Sequence, residues 1–171
     1  MKKVLIVVDM QNDFVTGPLG SEAAQTAAKN IAEHLLEYDR VIFTRDTHDD
    51  DYLNTLEGKF LPVPHCIEGS EGHEVISELM NMRSRHQEVS TLDKYSFGSF
   101  SWLGAFDAFD CEAIEICGVC TDICVISNAL ILRSMFNNKR IICHKDWCAG
   151  TSPAAHEAAL EVMESCQIEV V

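Results

Sequence analysis

The chain lacks any apolar run long enough to cross a membrane. The run nearest its start, Val4 to Val8, ends at Asp9 after five residues, far short of the roughly 18 a spanning helix needs. It is equally too short for the apolar part of a signal peptide, so the sequence predicts neither export nor a membrane anchor. Basic residues are scarce: 13 Lys and Arg stand against 27 Asp and Glu, a formal charge of −14. Such a surface repels nucleic acid and anionic membranes, which removes both as expected partners. Cysteine is plentiful, with eight in the chain, but the paired spacing of a zinc knuckle is missing, since Cys117 and Cys120 have no second such pair. Reduced thiols in a cytoplasmic protein are the simpler expectation. A Gly-rich phosphate loop is missing as well, which disfavours nucleotide chemistry. Small-molecule chemistry is what these absences leave.

What is present is a chain of 171 residues with 47% hydrophobic content, enough for a substantial core and best read as one domain, 1–171. Val4 to Val8 is rich in β-branched residues and reads as a strand buried on both faces of a parallel sheet. A helix from about Ser21 to Glu37 follows, with Ser21 as its N-cap. Further strands are expected at about Asp39 to Thr44, Glu88 to Leu92, Glu112 to Cys117, Ile141 to Cys143 and Ile168 to Val171. Helices are expected near Glu74 to Met82, Trp102 to Phe109, Cys124 to Phe136, and Ser152 and Pro153 to Ser165, the last pair acting as N-cap and first turn. Strands alternate with helices and no internal repeat breaks the pattern. The expected architecture is therefore α/β: one three-layer αβα domain with a six-stranded, mostly parallel sheet in the order 3-2-1-4-5-6.

In that order the strand before Asp9 lies beside the strand before Cys124. Charged residues cluster at the carboxyl ends of strands, where open α/β sheets bind ligands. Asp9 follows the first strand, Lys94 the third, and Cys124 opens a helix for which Thr121 or Asp122 can serve as N-cap. A thiol at a helix start, near an ammonium, favours its ionised form, and a nearby carboxylate can move the proton. Asp46 and His48 are two residues apart and point the same way in an extended segment. The loop from Asp49 to Glu74 adds Glu57 and His65, and the four suit a zinc, manganese or iron ion. A structural thiol, a turn-forming aspartate and solvated loop residues are the alternatives at each position taken singly.

The segments Asp9-Met10-Gln11-Asn12-Asp13-Phe14, Asp46-Thr47-His48, Pro64-His65-Cys66, Gly69-Ser70-Glu71-Gly72, Lys94-Tyr95-Ser96-Phe97 and Gly118-Val119-Cys120-Thr121-Asp122-Ile123-Cys124-Val125 span nearly the whole chain. In content and order they resemble the nicotinamidase/pyrazinamidase branch of the isochorismatase-like cysteine hydrolases. The resemblance implies a catalytic triad of Asp9, Lys94 and Cys124. It also implies a cis peptide between Val119 and Cys120, with the backbone N–H groups of Cys120 and Cys124 as an oxyanion hole.

The same resemblance maps a metal site onto Asp46, His48 and His65, holding one divalent ion, zinc before manganese or iron. Many relatives carry another histidine where this chain has Asn54, and Glu57 is the candidate replacement. Phe14 matches an aromatic that packs on the substrate ring, and Phe60 or Leu61 supplies the opposite wall. The implied reaction converts nicotinamide or pyrazinamide to the acid and ammonia through a cysteine thioester, in a protein that is often a homo-oligomer. Two alternatives remain at this stage. One is a metal-free amidase or vinyl-ether hydrolase on the same fold, and the other is a non-catalytic thiol or metal-binding protein.

Overall fold

Val4, Leu5, Ile6, Val7 and Val8 are fully buried, and a strand with no exposed face in this run must lie at the centre of a covered sheet. This strand, β1 (Lys2–Val8), pairs in parallel with β2 (Arg40–Asp46) on one side and β4 (Cys111–Val119) on the other. β3 (Glu88–Lys94) extends the β2 side, while β5 (Arg140–Ala149) and β6 (Glu169–Val170) extend the β4 side. The order is β3-β2-β1-β4-β5-β6 with every pairing parallel, as the sequence predicts. The computed structural model describes residues 2–82, 84–106 and 111–171.

Seven helices occur among the described residues: α1 (Asn12–Val15), α2 (Glu22–His34), α3 (Leu56–Phe60), α4 (Ser77–Met80), α5 (Trp102–Phe106), α6 (Ile126–Met135) and α7 (Pro153–Ser165). α2 is capped by Ser21, whose hydroxyl oxygen accepts from the Ala24 amide, and α7 by Ser152, which accepts from Ala155. Because the strand order reverses at β1 and parallel crossovers are right-handed, the helices divide between the two faces of the sheet. α2 packs on β4 and β5; α6 and α7 pack on each other and on β5. The helix expected over Glu74 to Met82 is shorter than its pattern implied. Val75 instead forms an isolated bridge with Gln11, and the Ile76 amide donates to the Met10 carbonyl, so the start of that segment is tied to the turn after β1. The expected continuation of α5 to Phe109 lies outside the described residues.

β2 and β3 run two residues further than expected, which places Asp46 and Lys94 inside strands as register partners. β5 is longer still, because a register shift between Ile116 and Gly118 of β4 lets it pair again at Cys148 and Ala149. Next to that irregularity Gly118 has φ +119, and a Cβ there would come within 2.1 Å of the Val8 carbonyl oxygen. Only glycine allows β1 and β4 to approach this closely at the edge where Asp9 emerges. Gly118→Ala is expected to lower unfolding free energy by about 3 kcal/mol or more through clash and positive φ together. Urea denaturation measures it, and a loss below about 0.5 kcal/mol, the range of neutral surface changes, would show that the strands part without cost.

Candidate active site

Asp9 sits one residue past β1 with φ 51, a left-handed conformation unusual for a non-glycine residue. Thr44 of β2 holds it there: the Asp9 amide donates to the Thr44 carbonyl at 3.2 Å, and the Thr44 hydroxyl donates to Asp9 Oδ1 at 2.6 Å. The turn thus aims Oδ2 at Lys94, whose Nζ lies 2.7 Å away. The same ammonium is 3.1 Å from Asp46 Oδ1 and 3.5 Å from Cys124 Sγ. Asp9, Asp46, Lys94 and Cys124 are all buried. Three residues far apart in sequence, Asp9, Lys94 and Cys124, therefore meet at one sheet edge.

Cys124 lies in a single π-helical turn, Thr121–Val125, that leads into α6. The peptide between Val119 and Cys120 is cis. Neither Thr121 nor Asp122 caps this turn, in contrast to the expectation from sequence. Cys120 occupies the cap position, its carbonyl accepting from the amides of Ile123 and Val125 at 3.0 Å each. Asp122 is diverted to Thr151, accepting from its amide at 2.8 Å and from its hydroxyl at 2.5 Å. Thr121 pairs with Nδ1 of His156. Side chains that compete for partners elsewhere are lost to capping.

Burial and the charge of Asp9 push the Cys124 thiol well above its ordinary value, with Lys94 acting in the opposite direction. Desolvation thus works against the thiolate that a helix start favours. Burial also raises Asp9, although Lys94 works to lower it. A carboxylate made more basic, in hydrogen-bonding reach of a protonated thiol, is arranged to receive that proton. For Lys94 burial opposes the charged form, yet Asp9, Cys124 and Asp46 together raise it above the ordinary lysine value. Cys120, less enclosed by charge, is pushed up to about 12 by burial and then by Asp122.

Asp46 faces two ways. Its Oδ2 is 2.8 Å from His48 Nε2 and 3.6 Å from His65 Nε2, while Glu57 Oε1 is 3.7 and 4.0 Å from the same two nitrogens. One ligand atom from each of Asp46, His48, Glu57 and His65 lies within 4.8 Å of the others. His65 Nδ1 is 2.8 Å from the Val63 carbonyl, which fixes Nδ1 as the protonated nitrogen and turns the Nε2 lone pair toward the cluster. Burial and the neighbouring Asp46 raise Glu57, as happens to a carboxylate held beside another without a cation between them. Two imidazoles and two carboxylates converging in this way form a donor set that fits zinc, manganese or iron. The four residues selected from sequence are brought together.

A cavity of about 160 Å³ opens onto both groups, lined by Phe14, Asp46, Glu57, Phe60, Leu61, His65, Phe97, Cys120, Ile123 and Cys124. Phe14 packs edge-on to His65, and Phe60 and Leu61 lie on the rim, 83% and 37% exposed. Phe97 and Ile123 were not singled out by sequence, although both lie inside motifs. Four supporting residues also escaped it. Buried Gln11 donates to the carbonyls of Asp46 and His73 and accepts from the Asp46 amide. Asp13 accepts from the Cys66 amide. Tyr52 packs against both His48 and His65 and donates its hydroxyl to the Leu61 carbonyl. Asn128 of α6 donates to the carbonyls of Phe97 and Cys124 and accepts from the Ser99 amide and the Trp102 indole. Gln11 and Asp13 lie inside the Asp9 to Phe14 motif, and Asn128, a polar residue within an apolar stretch, is a fully satisfied core amide.

The family model described as the isochorismatase domain matches residues 3–171. An isochorismatase-family protein, PncA of Bacillus subtilis, is 29% identical over 177 residues, covering 94% of this chain and 93% of the relative. The crystal structure of nicotinamidase/pyrazinamidase PncA from Bacillus subtilis superposes with a TM-score of 0.84 at 27% identity, over 100% of both chains. The pyrazinamidase of Pyrococcus horikoshii in complex with zinc gives a TM-score of 0.79 at 25% identity, covering 100% of this chain and 99% of that one.

Purified protein is expected to bind one divalent ion per chain at Asp46, His48, Glu57 and His65. Equilibrium dialysis against zinc measures it, and Glu57→Gln is expected to weaken the affinity on the order of 100-fold, at least the loss typical of residues that only support ligands. Equal affinity in that variant removes Glu57 from the ligand set.

Proposed function

The chain belongs to the isochorismatase family, and on that premise we propose that it is a metal-dependent nicotinamidase that converts nicotinamide or pyrazinamide to the carboxylic acid and ammonia. The observation that carries the reading is the position of Asp46. Its Oδ1 meets Lys94 beside the thiol and its Oδ2 meets the histidine cluster, so one small cavity offers a nucleophile at one side and a ring-nitrogen ligand at the other. A metal-free amidase on the same fold has no use for the second half. The nicotinamidase/pyrazinamidase of Bacillus subtilis and the pyrazinamidase of Pyrococcus horikoshii support the same substrate class.

In this reading the aromatic amide lies between Phe14 and the rim formed by Phe60, Leu61 and Phe97, with its carboxamide over Cys124. The sulfur attacks the carbonyl carbon as its proton passes to Asp9. The amides of Cys120 and Cys124 receive the oxyanion. Lys94 keeps Asp9 and the sulfur aligned and offsets their charge. As the C–N bond breaks, Asp9 returns the proton to departing ammonia, leaving a thioester. Water then attacks that thioester while Asp9 takes its proton, and the proton goes back to sulfur as the acid leaves. Asp46, His48, Glu57 and His65 would hold a divalent ion, which would supply Lewis-acid attraction for the ring nitrogen. Its identity is proposed as zinc, and the thiols are those of a reduced, cytoplasmic enzyme.

Cys124→Ala is expected to abolish ammonia release, whereas Cys120→Ala, which keeps its backbone amide, retains most of it. Equal loss in two folded variants would overturn the assignment of the nucleophile. Nicotinamide is expected to exceed benzamide in kcat/KM by on the order of 100-fold, since benzamide lacks the nitrogen that aligns the ring. Side-by-side ammonia assays decide it: equal rates sink the metal-positioned reading and leave an amidase of broader choice.

A further inference from the structure

A second cavity, about 340 Å³ against 160 Å³ for the first, adjoins the catalytic pocket and shares Phe14, Leu61, Cys120 and Ile123 with it. Its remaining walls come from Leu19, Ala24, Ala149 and neighbouring backbone around Gly20 and Gly150. It therefore lies over the carboxyl ends of β4 and β5, while Asp46, Glu57 and His65 line only the first cavity. No charged side chain among the described residues lines it. Its polar side chains are already engaged. Ser21 accepts from the Ala24 amide at 3.0 Å, and Thr151 gives both its amide and its hydroxyl to Asp122. A guest there meets hydrocarbon on most sides, so an apolar group gains by entering and a charged one is desolvated without compensation.

We propose that this cavity is a substrate subsite for an apolar substituent on the aromatic ring, making the enzyme a hydrolase of alkyl-substituted pyridine carboxamides as well as of the bare ring. The inference rests on the nicotinamidase reading above and extends it. In a pyridine-3-carboxamide held with its carbonyl at Cys124 and its nitrogen toward the Asp46 cluster, the carbon meta to both groups faces neither. The ring edge bearing that carbon is left to the shared walls, Phe14, Ile123 and Cys120, beyond which the second cavity opens. Position 5 of the ring is therefore the one from which a chain enters the subsite.

The test is kcat/KM for ammonia release from nicotinamide and its 5-methyl, 5-propyl and 5-carboxy derivatives. Each added methylene is expected to raise it by roughly three- to four-fold, the increment for burying a CH₂, and the 5-carboxylate is expected to lower it at least 100-fold. Ala149→Val, which narrows the cavity and replaces neither a triad nor a cluster residue, should lower the 5-propyl to nicotinamide ratio at least 10-fold. Leu19→Ala, which enlarges it, should raise that ratio for longer chains, and it serves if the valine variant does not fold. A ratio that stays constant in either folded variant, or a 5-propyl amide turned over more than 10-fold worse than nicotinamide by the unaltered protein, overturns the subsite. Absence of turnover on every amide instead overturns the nicotinamidase reading, and the subsite with it; turnover of nicotinamide alone overturns only the subsite.

Discussion

The site depends on a single buried ammonium. Lys94 Nζ lies between Asp9 Oδ2 at 2.7 Å and Asp46 Oδ1 at 3.1 Å, with the Cys124 sulfur within 3.5 Å. Two carboxylates at this depth repel each other strongly, and without the cation between them one would have to take up a proton. Removing one partner from such a buried group typically costs about 3–5 kcal/mol, because the others remain charged and unpaired. The ammonium therefore serves folding and chemistry at once. Against burial, and together with His48 and His65, it holds Asp46 below its ordinary value, and it sits between Asp9 and the Cys124 thiol.

That ammonium can reach all its partners only because the strands end in a particular stagger. Asp46 and Lys94 are register partners across β2 and β3, so their side chains emerge on the same side of the sheet. Asp9 is placed one residue beyond the pairing of Val8 with Gly118, in a backbone conformation that Thr44 secures with two contacts from the adjacent strand. A side chain at position 118 would push β4 away from Val8 and carry the Cys124 turn with it. Backbone strain at Asp9 and close approach at Gly118 are thus two parts of one constraint, the convergence of β1, β2 and β4 at their carboxyl ends.

Much of this was legible in the sequence because its signals are local. The run Val4 to Val8 announces a central strand, and charged residues directly after apolar runs locate Asp9, Asp46 and Lys94 at one edge once the strand order is assumed. The metal cluster was legible for a different reason: Asp46 and His48 stand two residues apart in an extended segment, and the long loop after them carries Glu57 and His65. What stayed hidden is what depends on tertiary partners. Gln11, Tyr52 and Asn128 look like ordinary polar or aromatic residues until the loop and strand they bridge are both in place. The same holds for the Cys124 thiol: a helix start is visible in sequence, but the desolvation that works against the thiolate is not.

Glu57, the second carboxylate beside His48 and His65, bears on the charge balance of the whole site. Asp9, Asp46 and Glu57 carry three negative charges around one Lys94 ammonium when the thiol is protonated. Two negative charges are left over in a largely enclosed site, and Glu57 responds by taking up its proton more readily than usual. One divalent cation among His48, His65 and the two carboxylates would neutralise that excess and leave triad and metal site together without net charge. A neutral imidazole in place of Glu57 would leave the loaded site with a surplus positive charge, which would have to be met by solvent or an anionic ligand. With glutamate a site loaded with one divalent ion would already be balanced, and the ligand it would suit is a neutral one, as the proposed aromatic carboxamide is.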